Sequence, residues 1–586
     1  MKRTRVTIIV FLAIFLAAMV PVAGISSAQR DRRTAPTPVA SPSVVPSQSP
    51  TPAASPSVTP AASPSPVATE ARLKTANPTN SLVELRGRIT DILRKPELAP
   101  ALIAVKVVSL DTGKVLFEEN AAKLLRPASN MKLYTVATAL DRLSPDFRFT
   151  TSIYAPKPDA SGIVRGNLIV YGRGDPSLAA RFNNSDYFKA INELAVKIVA
   201  AGVKRVEGDL IGDESYFSGA KYGSGWEWED LTWYYGAEIS ALTVNDNALD
   251  LFVKPGPEVG KPAIVTTGPP DPLLTIKNNV TTTAKGTRRS ISVYRGLGKD
   301  TIQITGSIPI EDRGYSGGIG ISHPALLFVY LLRSALAEKG VTIKGQSQIV
   351  EPPTSGPFLD PPQRFAMKHM TNVTGQPPVE IATYQSPPFS MIAAQTLKPS
   401  QNLYTELILR TLGEVVPPPS PSFQQTSGQS DGGRTIPVTG SPSENRGLEI
   451  VKDFLKNVGI RPESLALDDG SGLSRNDMVT ADSTIQLLTY MSRHRFADVF
   501  RDALPIAGVD GTLRNRMKGT VAENNVRAKT GSLRSASSLG GYVTTAAGEK
   551  LVFTVMVNNY PSDVEPRMIC IDPIAVLLAS FAGKSE

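Results

Sequence analysis

Residues 126–140 read RPASNMKLYTVATAL, an apolar helical pattern with a serine and a lysine three residues apart at its head. This spacing puts the hydroxyl of Ser129 and the amine of Lys132 on one helix face, one turn apart. A lysine held neutral there can take the serine proton and so activate the oxygen as a nucleophile. The same spacing recurs at Ser218 and Lys221, but among glycines and without an apolar helix. We interpret that second segment as a turn.

Helix and strand patterns surround this segment. Residues 82–93 predict a helix, and LIAVKVVSL (102–110) followed by KVLFEEN (114–120) predicts a β-hairpin. Near the C-terminus, LGGYVTTA (539–546) and LVFTVMVN (551–558) flank a turn at a glycine and predict two more strands. Helices combined with an antiparallel sheet indicate an α/β sandwich.

A large, mostly-β insertion interrupts this sandwich. From about residue 147 to 311, short β-type segments alternate with Gly and Pro, and one helix is predicted from Tyr187 to Ala201. A second helix opens at His323-Pro324 and ends before Gly340. Other helices are expected at 403–412 and 447–458. We predict a catalytic domain in two segments, 81–146 and 381–586, around inserted β-rich domains at 147–380.

The N-terminal region predicts export. Residues 1–28 have the form of a signal peptide: Lys2, Arg3 and Arg5 precede an apolar run, and the small residues at 26–28 suit cleavage. If the segment stays uncleaved, its length approaches the roughly 20 residues that cross a bilayer, which would give membrane association. The expected location is the periplasm or the extracellular cell-wall space.

Two stretches are rich in Pro, Ser, Ala and Thr. Residues 29–80 predict a linker between the signal and the folded body. Residues 416–444 repeat this composition within folded sequence, and we expect a mobile loop there.

Composition narrows the chemistry further. The single cysteine, Cys570, excludes internal disulfides and Cys-based metal clusters, and its apolar surroundings predict simple burial. The three histidines lack metal-ligand spacing, so we expect no metal, no cofactor and no Ser-His-Asp triad. Removing residues 1–28 lowers the formal charge from +9 to +6, an excess that suits a solvated surface better than a dedicated polyanion site. We expect no nucleic-acid partner.

A second motif, Lys529-Thr530-Gly531, occurs once and leads into Ser532 and strand-like sequence. On an edge strand, Gly531 allows a close backbone approach. Thr530 and Ser532 offer hydroxyls to a carboxylate, and Lys529 offers positive charge.

Three Ser-x-Asn segments could complete a Ser-x-x-Lys and Lys-Thr-Gly set: 443–445, 474–476 and 400–402. The first lies in the predicted mobile loop, and the second follows a Gly-rich loop. The third precedes an amphipathic helix, so we select Ser400 and Asn402.

With these motifs, the chain resembles the class C low-molecular-mass penicillin-binding proteins, the D-alanyl-D-alanine carboxypeptidase/endopeptidase family, from about residue 82 onward. The resemblance also rests on GRGDPSL (172–178), GDLIGDESYF (208–217), DDGSGLSR (468–475) and GVDGTLRNRMKGT (508–520) leading into RAKTGSL. It implies a penicillin-binding transpeptidase-like α/β sandwich with an insertion after the Ser-x-x-Lys helix. About 270 residues separate Ser129 from Ser400, too many for a simple β-lactamase. Gln401 departs from the family, where aspartate is common.

The resemblance implies attack by Ser129 on the carbonyl between two D-alanines of a peptidoglycan peptide, with Lys132 as general base. Ser400 would pass a proton to the leaving amine, and Asn402 would orient Lys132. Lys529 would supply a positive field that keeps Lys132 deprotonated.

It further implies that Thr530 and Ser532 hold the substrate carboxylate, beside Gly531, and that the N–H groups of Ser129 and Ser532 form the oxyanion hole. β-Lactam antibiotics would acylate the same site. Asp230 resembles an acidic residue of the insertion that would meet a diamino acid.

Alternatives stay open at this point. The chain could be a non-catalytic exported scaffold that binds peptidoglycan, or an esterase or D-aminopeptidase on the same fold. Carboxypeptidase and endopeptidase action would share one acylation site. In the loop from Asp469 through Ser471 to Arg475, the side chains either line the cleft or merely form a turn.

Overall fold

The computed structural model describes residues 79–354, 376–417, 430–431, 434–435 and 441–586. The predicted signal peptide lies outside the described residues, as do the predicted linker up to residue 78 and most of the predicted loop 416–444. Within the described ranges, no helix is both long enough and apolar enough to cross a bilayer.

The described residues form ten α-helices, numbered here in chain order. They are α1 Leu82–Leu93, α2 Met131–Leu143, α3 Lys189–Ala200, α4 Pro324–Glu338, α5 Phe389–Leu397, α6 Asn402–Val415, α7 Ser443–Asn457, α8 Ala481–Ser492, α9 Ala497–Asp502 and α10 Asp572–Ser580.

The strands of the described residues are likewise numbered in chain order. They are β1 Leu102–Ser109, β2 Val115–Glu119, β3 Thr150–Ala155, β4 Ile163–Val164, β5 Leu168–Tyr171, β6 Arg205–Val206, β7 Leu210–Asp213, β8 Ala248–Lys254, β9 Ile264–Gly268, β10 Thr275–Thr283, β11 Ser290–Arg295, β12 Thr301–Pro309, β13 Tyr315–Gly320, β14 Thr342–Ile343, β15 Ser347–Val350, β16 Val379–Gln385, β17 Ser430–Asp431, β18 Arg434–Thr435, β19 Leu465–Ala466, β20 Met478–Val479, β21 Arg527–Leu533, β22 Ala536–Thr544 and β23 Lys550–Asn558.

An antiparallel five-stranded sheet, ordered β2-β1-β23-β22-β21, forms the centre of the α/β sandwich. Side chains alternate across β23 because successive residues of a strand point to opposite faces. Phe553 and Val555 pack with α1 and α10, whereas Val552 and Met556 pack with α2 and α8. Helices therefore cover both faces of the sheet. Each large apolar side chain that is fully buried between them stabilises the fold by about 1.5–3 kcal/mol.

The inserted region supplies β3 to β16, together with α3 and α4. Its main sheet is ordered β15-β7-β5-β3-β16, and three smaller sheets are ordered β10-β12-β11, β13-β8-β9 and β14-β6-β4. Leu194 and Ile198 of α3 and Phe328 and Leu332 of α4 pack in its core. The described part of the insertion is therefore mostly β, as predicted. Its main sheet continues to Gln385 through β16, beyond residue 380.

Helix α1 has the predicted bounds, whereas α7 begins earlier than predicted. Helix α1 spans the predicted residues, and β1 pairs with β2 as the predicted hairpin. Helix α7 begins at Ser443, within the predicted mobile loop and four residues before the predicted start. The buried Glu444 pairs with Arg410 of α6 at 3.5 Å, so a charged first turn is held by a partner that the local sequence does not show.

Candidate active site

Ser129 lies in a 3₁₀ turn, Ala128–Asn130, that leads directly into α2. Ala128 has a φ of 48°, in the left-handed region that non-glycine residues rarely adopt. Strand β21 runs against this turn: a Cβ added to Gly531 would overlap the Pro127 carbonyl and the Ser538 hydroxyl. The absent side chain of Gly531 lets the two predicted motifs approach at backbone distance.

The amine of Lys132 lies in the middle of three partners. Its Nζ is 3.0 Å from Ser129 Oγ, 2.6 Å from Asn402 Oδ1 and 2.7 Å from the Ser471 carbonyl. Burial lowers the pKa of Lys132 to about 7, although nearby carboxylates act to raise it. At neutral pH a large fraction of this amine is therefore free to accept a proton, as a general base requires.

Ser400 and Asn402 lie at the start of α6. Asn402 Nδ2 donates to the Tyr235 carbonyl at 2.8 Å, which leaves Oδ1 facing Lys132. Gln401 caps α6, because its side-chain oxygen accepts from Leu403 N at 3.2 Å. The glutamine that departs from the family pattern thus holds the helix end rather than the amine.

Lys529 links the second motif to the Ser-x-Asn segment. Its Nζ donates to Ser400 Oγ at 2.8 Å and to the Thr530 carbonyl at 2.8 Å. Burial, and then the charge of Lys132, lower the pKa of Lys529 well below its ordinary value. Repulsion between like charges is reciprocal, so the two amines oppose each other's protonation, and the positive field expected from Lys529 requires Lys529 itself to be protonated.

The remaining predicted binding residues lie along β21. Thr530 Oγ1 donates to Thr512 Oγ1 at 2.8 Å. Ser532, two residues farther along, is exposed. All eight predicted site residues thus lie in the Ser129 turn, the first turn of α2, the start of α6 or β21.

The second Ser-x-x-Lys segment has none of these features. Ser218 and Lys221 lie in irregular backbone, as predicted. Burial alone would lower the pKa of Lys221, but the charges and hydrogen bonds of Glu214, Glu351 and Glu238 outweigh it and raise that pKa. An amine held protonated by carboxylates cannot serve as a base, so the surroundings separate the two motifs.

The side chains of the rejected Ser-x-Asn segments bind partners other than the two lysines. Ser474 and Asn476 both donate to the Asp468 carboxylate, at 2.6 and 3.1 Å. Ser443 belongs to the first turn of α7 and contacts Ser218, not the Lys132 amine.

Comparison with known proteins identifies the family of this chain. Residues 85–361 and 434–580 match the D-Ala-D-Ala carboxypeptidase 3 (S13) family. A D-alanyl-D-alanine carboxypeptidase from Actinomadura sp. (strain R39) is 34% identical over 514 residues, 86% of each chain. The chain belongs to the S13 family. The D-alanyl-D-alanine carboxypeptidase DacB of Haemophilus influenzae is 25% identical over 467 residues, 78% of this chain and 86% of its own length.

Solved structures confirm the expected fold. Penicillin binding protein 4 (dacB) from Haemophilus influenzae has a TM-score of 0.66 at 22% identity, covering 83% of this chain and 97% of that one. A complex of that protein with a β-lactam has a TM-score of 0.62 at 20% identity, with the same coverage. Membership of the S13 family confirms the predicted enzyme class, a serine-type D-Ala-D-Ala carboxypeptidase.

The loop from Asp469 to Arg475 belongs to the site, although its sequence is equally typical of an ordinary turn. In the loop from Asp469 to Arg475, the backbone carbonyl of Ser471 contacts Lys132, and the carboxylate of Asp469 holds the loop. The DDGSGLSR segment is the sequence feature that indicates this role. Asp230 pairs with Arg475 at 2.8 Å, so its carboxylate already has a cationic partner.

Proposed function

We propose that this S13 carboxypeptidase hydrolyses the D-alanyl-D-alanine bond of peptidoglycan stem peptides through an acyl-enzyme on Ser129, and that β-lactams acylate the same oxygen. The observation that carries this proposal is the buried Lys132 amine, 3.0 Å from Ser129 Oγ and with its pKa lowered to about 7. Such an amine is matched to proton transfer at neutral pH.

Acylation follows from these contacts. Lys132 accepts the proton of Ser129 as the oxygen attacks the carbonyl carbon, and the C–N bond to the terminal D-alanine then breaks. Ser400 donates its proton to the leaving amine and is reprotonated through Lys529, whose Nζ is 2.8 Å away. In deacylation water attacks the ester carbonyl carbon and one of its protons returns through Ser400 to Lys529. The C–O bond to Ser129 then breaks, Ser129 recovers its own proton from Lys132, and the peptide leaves as the free acid.

The second motif holds the substrate. Thr530 and Ser532 offer hydroxyls to the terminal carboxylate, and a bound carboxylate would favour a protonated Lys529 by supplying its counter-charge. The N–H groups of Ser129 and Ser532 stabilise the oxyanion. Removing one oxyanion donor typically lowers the rate by about 10²–10³-fold.

We further propose that the enzyme acts outside the cytoplasm, in the periplasm or the cell-wall space. The charged and apolar N-terminal residues support export. They would associate the protein with the membrane if they stay uncleaved.

Covalent labelling with a fluorescent penicillin tests the proposal. We expect label on Ser129, located by peptide mass spectrometry, and none in Ser129→Ala. Ser218→Ala is the matched control, because it removes the serine of the other Ser-x-x-Lys segment and should label normally. A folded protein that takes no label would contradict the mechanism and favour a non-catalytic wall-binding scaffold, while label without D-alanine release would favour an esterase or D-aminopeptidase.

A further inference from the structure

The carboxylate of Asp469 organises the loop that contacts the catalytic amine. Asp469 is fully buried, and both of its oxygens accept hydrogen bonds from the residues that follow it. The donors are Ser471 N (2.9 Å), Ser471 Oγ (3.0 Å), Gly472 N (2.6 Å), Leu473 N (3.2 Å) and Ser474 N (2.9 Å). Five donors converging on one carboxylate fix the path of the loop.

This path determines where one carbonyl points. The Ser471 carbonyl accepts from Lys132 Nζ at 2.7 Å. The preceding Gly470 is fixed on both sides, because its carbonyl accepts from Thr135 Oγ1 of α2 at 2.8 Å and its N–H donates to Glu406 of α6 at 3.1 Å. The loop is therefore anchored to α2, the helix that carries Lys132, and its Ser471 carbonyl is held against the Lys132 amine.

The inserted region reaches the same carboxylate. Trp226 Nε1 donates to Asp469 Oδ2 at 2.8 Å. Next to it, Gly225 lies so close to the loop that an added Cβ would overlap Ser474 Oγ. Arg475, at the end of the loop, pairs with Asp230 of the insertion at 2.8 Å. The insertion and the catalytic loop are thus joined by directional contacts.

We propose that Asp469 is a positioning residue for Lys132 and that Trp226 makes this positioning depend on the inserted region. The inference rests on the proposed function, in which Lys132 is the general base. The proposal gives the inserted region a part in catalysis. The indole N–H of Trp226 binds the Asp469 carboxylate, and that carboxylate fixes the direction of the Ser471 carbonyl.

The negative charge of Asp469 acts on the pKa of Lys132, so the pH dependence of catalysis tests this proposal. A purely structural role of Asp469 would leave that pH dependence unchanged. The ionisable groups facing Lys132 are Asp469, Glu406 of α6, Asp477 before β20 and Lys529 of β21. Burial, and then the charge of Asp469, raise the pKa values of Glu406 and Asp477 well above their ordinary range. Asp469 is thus the principal negative charge acting on the amine, and its removal lowers the pKa of Lys132.

The deciding experiment compares Asp469→Asn with Asp468→Asn in the full chain, by the pH dependence of kcat/KM for D-alanine release. In Asp469→Asn we expect kcat to be at least tenfold lower. We also expect the acid limb of the profile, the fall of kcat/KM at low pH, to be displaced to lower pH. Asp468→Asn makes the same chemical change one residue earlier and should leave the limb in place. An unmoved limb with retained kcat, or an equal displacement in both variants, would overturn the proposal.

Trp226→Phe tests the contribution of the inserted region. It also tests the positioning of Lys132 if Asp469→Asn does not fold. This variant keeps an aromatic ring and removes the N–H. We expect kcat to fall by about three- to tenfold with KM nearly unchanged, and an unchanged kcat would overturn the coupling. Penicillin labelling of Ser129 in the wild-type protein separates the two proposals. If the wild type takes no label, the proposed function is wrong. If it labels normally and both variants behave like the wild type, only the present inference is wrong.

Discussion

Lys132 and Asn402 contact each other in the core of the site although 270 residues separate them in sequence. The amine donates to Asn402 Oδ1 at 2.6 Å, while the amide nitrogen donates to the Tyr235 carbonyl at 2.8 Å. Because Tyr235 uses the nitrogen, the oxygen is fixed toward the amine. Asn402 therefore orients Lys132 without adding charge.

Replacing Asn402 with aspartate tests this neutrality. The new carboxylate would lie against the amine and stabilise its protonated form, so the pKa of Lys132 should rise. We expect the acid limb of kcat/KM to move about one unit to higher pH, since an opposite charge at this distance shifts a pKa by about 1–3 units. The control is Asn457→Asp at the exposed end of α7. A limb unmoved in Asn402→Asp would contradict the assigned contact.

The wild-type pH profile should reflect the lowered pKa of Lys132. Above about pH 7 the amine is neutral and can accept the Ser129 proton, whereas below pH 7 it is increasingly protonated and inactive. We expect kcat/KM for D-alanine release to fall about tenfold per unit below pH 7 and to level off above it. Steady-state assays from pH 5 to 9 measure this, and a flat profile across pH 7 would contradict Lys132 as the base.

Much of the site could be predicted because its chemistry is concentrated in short motifs. The three-residue spacing of Ser129 and Lys132 requires one helix turn, and Gly531 in a strand pattern indicates a close backbone approach. The apolar strands near the C-terminus also defined the sheet, because β22 and β23 are joined by a short turn. Such relations are local in sequence, so local patterns reveal them.

The contacts that tune the site could not be predicted in the same way. Asp469 acts mainly through backbone N–H groups, which every residue except proline carries, so no sequence pattern distinguishes them. The contact of Trp226 with Asp469 joins residues 243 apart in sequence. The lowered pKa values of Lys132 and Lys529 depend on the burial of both amines, which only the assembled fold sets.

Gly531→Ala should disrupt the junction between β21 and the Ser129 turn. The added Cβ would overlap the Pro127 carbonyl and the Ser538 hydroxyl, and overpacking of this kind typically costs about 1–3 kcal/mol. We expect a lower Tm and slower penicillin acylation. Gly87→Ala is the control: nothing lies within 4 Å of the new Cβ in α1, and the same substitution there should stabilise the protein by about 0.5–1 kcal/mol. Unchanged acylation in Gly531→Ala would contradict the close approach.

Replacing Ser400 with glycine should raise the thermal stability of the protein and lower its activity. Its φ of 64° lies in the left-handed region, where a non-glycine residue costs about 1–3 kcal/mol. Ser400→Gly should therefore raise Tm, while loss of the hydroxyl that accepts from Lys529 lowers kcat by about 10²–10⁴-fold. Ser400→Ala should lower kcat similarly without the gain in Tm. Ser144→Gly, at the end of α2 with a φ of 76°, should raise Tm and leave kcat unchanged. If Ser400→Gly retained full activity, the hydroxyl would have no part in proton transfer, and the strained backbone would need another explanation.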